Sequence, residues 1–288
     1  MLRIVSRRLF STANLKTLRE VTGAPLMDCK NALAASNGDL EKAKQWIAER
    51  NKAVAAKISG RTAKQGLIGV ALSESAGALV EVNCETDFVA RGEDFQGLVR
   101  QQAEAVMKAT PLGEDVVTKV AGKVRENIVL GGTMRLAAAG NGGVLGSYLH
   151  NKLGDNVGTS AAIVALSNVQ KGDLSKVQEL ARAIAVQVVA AKPAHIAREQ
   201  VPADVRKTEE DRILSEAGQA FAGKSEKAKE SMLKGRMQKF YSDMCLMDQV
   251  FILGELEGKM VKEVLPKGVR IDGFIRMSVG GDQTKASQ

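Results

Sequence analysis

Thr86-Asp87-Phe88-Val89 places a hydroxyl, a carboxylate and an aromatic ring in consecutive positions. The run before it has the period of a strand: Val80, Val82 and Cys84 fall on one face, and Glu81, Asn83 and Glu85 on the other. The alternation stops at Thr86, and a second acid–ring pair, Asp94-Phe95, opens an amphipathic helix. A strand that ends in Asp-Phe can present an acid and a ring together at the tip of a rigid scaffold. The same residues admit a plainer arrangement, in which Thr86 or Asp87 caps a helical turn and Phe88 is core.

Little else in the chain competes for chemistry. His150 and His195 stand apart in sequence, and nothing pairs either with an acid at a spacing that suggests an acid–base dyad. Cys29, Cys84 and Cys245 are odd in number and widely separated, which points to free thiols in a reducing compartment. Cys84 sits on the apolar face of its strand and reads as packing. No metal site or acid–base dyad emerges from these residues.

The 288 residues leave room for two or three domains, and aliphatic side chains are plentiful although aromatic ones make up only 3%. Part of the formal charge of +8 lies in Met1–Phe10, which carries Arg3, Arg7 and Arg8, and no acid occurs before Glu20. An Arg- and Ser-bearing, acid-free, amphipathic start reads as a transit peptide of residues 1–10, with Arg8-Leu9-Phe10-Ser11 as a mitochondrial processing site. A disordered basic tail is the alternative. No apolar run approaches the ~18 residues of a membrane span.

The elements that must carry the tip follow from spacing. Lys16 to Val21 forms a short helix, Thr22-Gly23-Ala24 breaks it, and Pro25 starts a second helix with Leu26, Cys29, Ala32 and Leu33 as its buried stripe. Asn37-Gly38 closes that helix, and Asp39 caps a third carrying Leu40, Ala43, Trp46 and Ile47. Residues 14–50 thus make a compact three-helix bundle of the ubiquitin-associated type, and 51–65, rich in Lys, Arg and Ala, a charged connector. An internal repeat comes next. Gly66-Leu67-Ile68-Gly69 returns as Gly143-Val144-Leu145-Gly146, and Ala78-Leu79-Val80-Glu81-Val82 as Ala162-Ile163-Val164-Ala165-Leu166. Each copy reads strand, turn, strand, helix, with helices at 94–109 and 173–191, giving α+β half-domains at 66–139 and 140–200. A helix over 116–130 and a strand over 134–138 lie between them. Ile213, Leu214, Ala217, Ala220 and Phe221, then Met232, Leu233, Met237, Phe240 and Met244, are the stripes of an antiparallel helical hairpin at 201–244, broken at Gly223. Residues 245–281 return to the core with a last strand over 271–279, and 282–288 form a tail. Gly218 to Ser225 satisfies the phosphate-loop pattern, but a charged helix precedes it where a buried strand is needed, so nucleotide binding there is rejected.

Leu18-Arg19-Glu20-Val21-Thr22-Gly23-Ala24-Pro25-Leu26-Met27-Asp28-Cys29-Lys30-Asn31-Ala32-Leu33 closely resembles the opening of elongation factor Ts, of the mitochondrial type given the leader. Asn37-Gly38-Asp39, Ala55-Lys57, Arg61 and Glu126-Asn127-Ile128 follow the same pattern, and Thr86-Asp87-Phe88-Val89-Ala90-Arg91 matches that family's signature. The resemblance runs from about Leu15 to Gly281. It departs at Val186-Gln187, where the family usually has Met-His, and at Val250, where Gln249-Val250-Phe251-Ile252 meets the family's Gln-Pro-Phe-Val.

The resemblance implies a guanine-nucleotide exchange factor for organellar elongation factor Tu, GDP-bound or nucleotide-free, in the mitochondrial matrix. It implies that Thr86, Asp87, Phe88 and Val89 enter the GTPase beside its magnesium and switch region. Arg19, Leu26 and Met27 would touch its nucleotide domain, and Ile252 and Leu253 a distal domain; ordinary core is the alternative for Leu26, Ile252 and Leu253. The resemblance implies that the chain is not an enzyme, and no nucleic acid, membrane or cofactor is expected. Two other classes stay open. One is a ubiquitin-type adaptor, against which Thr22-Gly23-Ala24 lacks the apolar-Gly-aromatic triplet. The other is an RNA-binding protein, against which stand the scarcity of aromatics and the spread of acids among the bases.

Overall fold

The computed structural model describes residues 12–110, 113–138, 142–216 and 225–287. Expectations for Met1–Phe10, for Ala217, Ala220, Phe221 and Gly223, and for the phosphate-loop pattern before Ser225 fall on residues outside that set. The chain mixes helix and sheet and divides into two compact units. One comprises Met1–Gly66, Val82–Leu98 and Pro111–Gly131; the other comprises Leu67–Glu81, Val99–Thr110 and Gly132–Gln288.

In the first unit α1 (Thr12–Thr22), α2 (Leu26–Ala35) and α3 (Leu40–Ile58) share a core of Leu18, Ala24, Cys29, Ala32, Leu33, Ala43 and Ile47, with Trp46 packed at its margin. Asp39 caps α3 by accepting the Glu41 and Lys42 amides at 3.0 and 3.1 Å. Leu26, expected in the buried stripe, is exposed, because α2 opens at that residue and its buried residues begin at Asp28 and Cys29. The connector expected over 51–65 is also corrected in its first half. Helix α3 runs on to Ile58 and buries Asn51 against α6 (Glu114–Val124), at Gly122. The helix assigned to 116–130 ends at Val124, since Arg125 takes a left-handed backbone (φ 62°) and closes it by donating its N–H to Ala121 O.

Two four-stranded sheets carry the rest. Their strand orders are β3-β2-β1-β5 and β4-β6-β7-β8. Here β1 is Gln65–Leu72, β2 Ala76–Cys84, β3 Val129–Ala137, β4 Val144–His150, β5 Val157–Gly158, β6 Ser160–Ser167, β7 Arg270–Ser278 and β8 Thr284–Ser287. Within the second unit Ile68, Val70 and Leu79 of one sheet pack against Leu145, Ile163, Ile275 and Met277 of the other. The second sheet's opposite face lies under α7 (Leu174–Ala191) through Val164, Leu166, Phe274, Ile184 and Val188. The repeat expected from sequence thus yields strand–strand–helix twice, with α5 (Glu93–Met107) in the first copy and α7 in the second. The second hairpin's tip adds β5 to the first sheet, pairing Ile68 with Gly158 and Gly69 with Val157.

Glu81, on the strand face opposite Val80 and Val82, is buried. The C-terminal segment covers it, and its carboxylate accepts the Gly280 N–H at 2.8 Å. Residues 282–288 are likewise more than a tail, for β8 pairs with β7 from Arg276↔Thr284 to Gly273↔Ser287. The hairpin's described parts are α8 (Ala203–Glu216) and α9 (Glu226–Met244), which pack on each other with Ile213 and Met237 buried.

A glycine seats the helix on the sheet in both copies. A Cβ at Gly69 would stand 2.8 Å from Val99 O of α5, and one at Gly146 would meet Ala181 C and, at 2.5 Å, Arg182 N of α7. Gly146→Ala is therefore expected to lower stability by roughly 1–3 kcal/mol, because backbone must shift to admit the methyl group. Gly235→Ala in α9, where no atom lies within 4 Å, should raise it by roughly 0.5–1 kcal/mol. Urea unfolding of both variants checks the pair, and equal effects would refute it.

Candidate functional site

Thr86 is where the strand becomes a tip. Its backbone is extended (φ −125°, ψ 156°), and its hydroxyl accepts the Val89 N–H at 3.3 Å, capping the single helical turn α4, Asp87–Ala90. The plainer expectation thus holds for Thr86 and fails for its neighbour. Phe88 is 82% exposed, since Ala90 is the buried residue of the turn. Asp87 is exposed too, with an open ion pair to Arg91 at 3.6 Å, and Val89 is half-buried.

An interaction absent from the sequence reading holds the tip. The Glu126 carboxylate accepts the Glu85 N–H at 3.1 Å and the Thr86 N–H at 3.0 Å through one oxygen, and the Thr86 hydroxyl at 2.6 Å through the other. Glu85 reciprocates by accepting the Asn127 N–H at 2.7 Å. The Asn127 side chain, itself buried, donates to Ser59 O and Arg61 O at 3.1 and 2.6 Å. Charge-assisted bonds of this kind are the stronger class, and together they fix both segments at the tip's base. The Glu-Asn-Ile motif was the available signal, but sequence alone gave it no task.

Burial pushes the Cys84 thiol up to about 12, with the nearby Glu126 carboxylate acting in the same direction, and its S–H donates to Thr86 O at 3.2 Å. It is a packing group that braces the turn. All three cysteines are free and buried. No cluster able to hold a metal ion occurs among the described residues, and no described helix is long and apolar enough to cross a membrane.

The other expected contact residues fall in two places. Arg19, Leu26 and Met27 are exposed at the junction of α1 and α2 in the same unit as the tip, Met27 at 62%. Ile252 and Leu253 lie in the second unit and are exposed at 49% and 58%, so neither is core. Their loop is anchored by buried Phe251 and by Gln187, the residue left out of the site on sequence grounds. Gln187 donates to Gln249 Oε1 and Val250 O at 3.1 and 3.2 Å and accepts the Ile252 N–H at 3.1 Å. Below that loop, Asp248 is paired with Arg198 at 2.6 Å and Lys262 at 3.3 Å, which holds its carboxyl below the usual carboxylate range.

The family model for elongation factor TS matches residues 85–281. The chain is 36% identical over 300 residues to an elongation factor Ts of Rhodospirillum centenum, covering 96% of this chain and 95% of that one. It is 38% identical over 284 residues to one from Paracoccus denitrificans and 37% over 291 residues to one from Rhodospirillum rubrum, covering 94% of this chain and 92% of each relative.

With its pKa near 12, Cys84 carries almost no thiolate at pH 8, and Cys245, pushed to about 11 by burial and by Asp248, carries little. Neither should react with iodoacetamide in the native protein at pH 8, while both react in urea. Mass spectrometry of the alkylated peptides checks this, and rapid native labelling of Cys84 would remove its bracing role.

Proposed function

The chain belongs to the elongation factor Ts family, and on that premise we propose that it is a guanine-nucleotide exchange factor that binds elongation factor Tu and promotes release of its GDP. The observation that carries the reading is the largely exposed Phe88 on a hydrogen-bonded, rigid tip. A free protein gains nothing by offering a large ring to water, whereas burying it in a partner contributes about 1.5–3 kcal/mol. Tu-type GTPases hold GDP through backbone amides, a lysine and a Mg²⁺ ion that bridges phosphate to protein. Phe88 wedges beside the segment that carries the ion, and Asp87 competes there for hydrogen bonds or unsettles the metal's shell. Thr86 and Val89 fix the turn. Once the Mg²⁺ shell is disturbed, phosphate charge is no longer offset and GDP leaves. The chain makes and breaks no covalent bond in this process.

One ring is not sufficient. At about 1.4 kcal/mol per tenfold, its burial supplies one or two decades of weakening. The remainder comes from a wide contact, with Arg19, Leu26 and Met27 on the nucleotide domain and Ile252 and Leu253 on a distal domain. Exchange is reciprocal: as the factor weakens GDP, GDP weakens the factor by the same ratio, and GTP then releases it. The three-helix bundle α1–α3 and the tip present the first of these surfaces, and the loop after Phe251 presents the second. The leader of residues 1–10 directs the protein to the mitochondrial matrix, a reading supported by Arg3, Arg7 and Arg8 and by the lack of acids before Glu20.

Phe88→Ala should keep the fold and lower stimulated GDP release by about one to two decades, as the burial estimate requires. Stopped-flow release of labelled GDP from elongation factor Tu is the measurement, and an unchanged rate would take Phe88 out of the mechanism. A fusion of residues 1–30 to a fluorescent protein should enter mitochondria and lose about ten residues. Retention in the cytosol of a eukaryotic cell would overturn the targeting.

A further inference from the structure

Asp28 stands beside the exposed Met27 of the bundle, yet its own side chain is only 8% exposed and faces inward. Two arginines share it. Arg50 Nε lies 2.9 Å from Oδ1, with its guanidinium over the Trp46 ring, and Arg125 Nη2 lies 2.8 Å from Oδ2. Arg125 is the left-handed residue that ends α6 (φ 62°), and the next residue is Glu126, whose carboxylate holds the Glu85 and Thr86 amides. A non-glycine residue in that conformation carries a backbone cost that Gly would avoid. Arg125 nonetheless occupies the position, and its guanidinium is what reaches Asp28. The connection therefore runs Met27–Asp28, Arg125–Glu126, Thr86–Phe88, with two side-chain contacts and otherwise only backbone, all inside one compact unit.

We propose that Arg125 is a positioning residue whose pairing with Asp28 locks the bundle's Met27 surface and the Phe88 tip into a single rigid body. It touches no partner itself. Without the lock the bundle still meets the tip's base where Asn51 packs at Gly122 and where Asn127 bonds Ser59 O and Arg61 O. The link from the Met27 end is lost, so the two surfaces are held less exactly, and the benefit of presenting the second at high effective concentration once the first has bound falls. The consequence for exchange rests on the exchange-factor reading above; the lock itself does not.

The test uses the full chain with Arg125→Gly, Arg125→Lys and Asp28→Asn. Arg125→Gly removes the guanidinium while relieving the left-handed backbone, so thermal unfolding should stay close to that of the parent. Hydrogen exchange at the Glu85 and Thr86 amides should nevertheless speed up by about fivefold or more in Arg125→Gly and Asp28→Asn, and less in Arg125→Lys, which can still reach one carboxylate oxygen. The concentration of factor giving half-maximal GDP release from elongation factor Tu should rise about tenfold with Arg125→Gly, while the maximal rate moves less than twofold. Unchanged amide protection would overturn the lock. Faster amide exchange with an unchanged half-maximal concentration would overturn its functional role, provided Phe88→Ala still slows release. If Phe88→Ala does not slow release either, it is the exchange-factor reading that fails, and the amide data judge the lock independently.

Discussion

The Glu126 carboxylate is the constraint on which the tip depends. A four-residue helical turn has almost no stability of its own, because nucleating a helix fixes several residues for very few hydrogen bonds. Here the strand's last amides, Glu85 and Thr86, have left the sheet and would need water or another acceptor. One carboxylate takes both, together with the Thr86 hydroxyl. With Thr86 so fixed, its hydroxyl is correctly placed to cap Val89, and the direction of Asp87 and Phe88 follows from the backbone. The exposed ring owes its placement to polar groups on either side of it and not to apolar packing around it.

Rigidity in the second unit has a different origin. Both copies of the repeat bring a helix down onto a strand at a glycine, Gly69 under Val99 and Gly146 under Ala181, so that backbone meets backbone. Close-packed interiors resist even a methylene's change in volume, and such contacts resist sliding in the same way. The loop bearing Ile252 and Leu253 is tied to this rigid layer by one side chain of α7, Gln187, which serves both a carbonyl and an amide of the loop. An amide group has a donor and an acceptor at its end and can meet both needs at once.

Legibility in the sequence followed the length scale of the signal. The duplicated strand–strand–helix pattern, the Asp39 cap and the stripe of α3 depend on neighbours within a few residues, and periodicity reports such neighbours directly. The extension of α3 through Asn51 was missed because a Lys- and Ala-rich run suits a helix and a connector equally; Gly122, far away in sequence, decides between them. Leu26 was misplaced at a helix boundary, where a stripe has no preceding residues to fix its phase. The Thr284–Ser287 strand is short, and its pairing with β7 is a tertiary fact. Among the residues of the tip and its supports, the run Thr86-Asp87-Phe88 at the end of a strand was legible by type and order. Glu126, Arg125 and Asp28 were not, because their roles depend on contacts between segments 40 to 97 residues apart.

Phe88 is where the two arrangements open to the sequence part, core or tip, and the structure takes the exposed one. Burial of a large ring is the commoner outcome, and consistency between levels is what makes sequences fold. Violations persist where something other than stability selects them. The surroundings here absorb the violation: Ala90 is the turn's buried residue, so the turn is seated without the ring. The clamp supplies its order, so the ring does not collapse onto its own surface. A ring that is 82% exposed, on a turn fixed by charge-assisted bonds, is the feature from which the proposed function starts. Under that proposal the partner would offer an apolar recess for the ring and groups able to receive the Asp87 carboxylate.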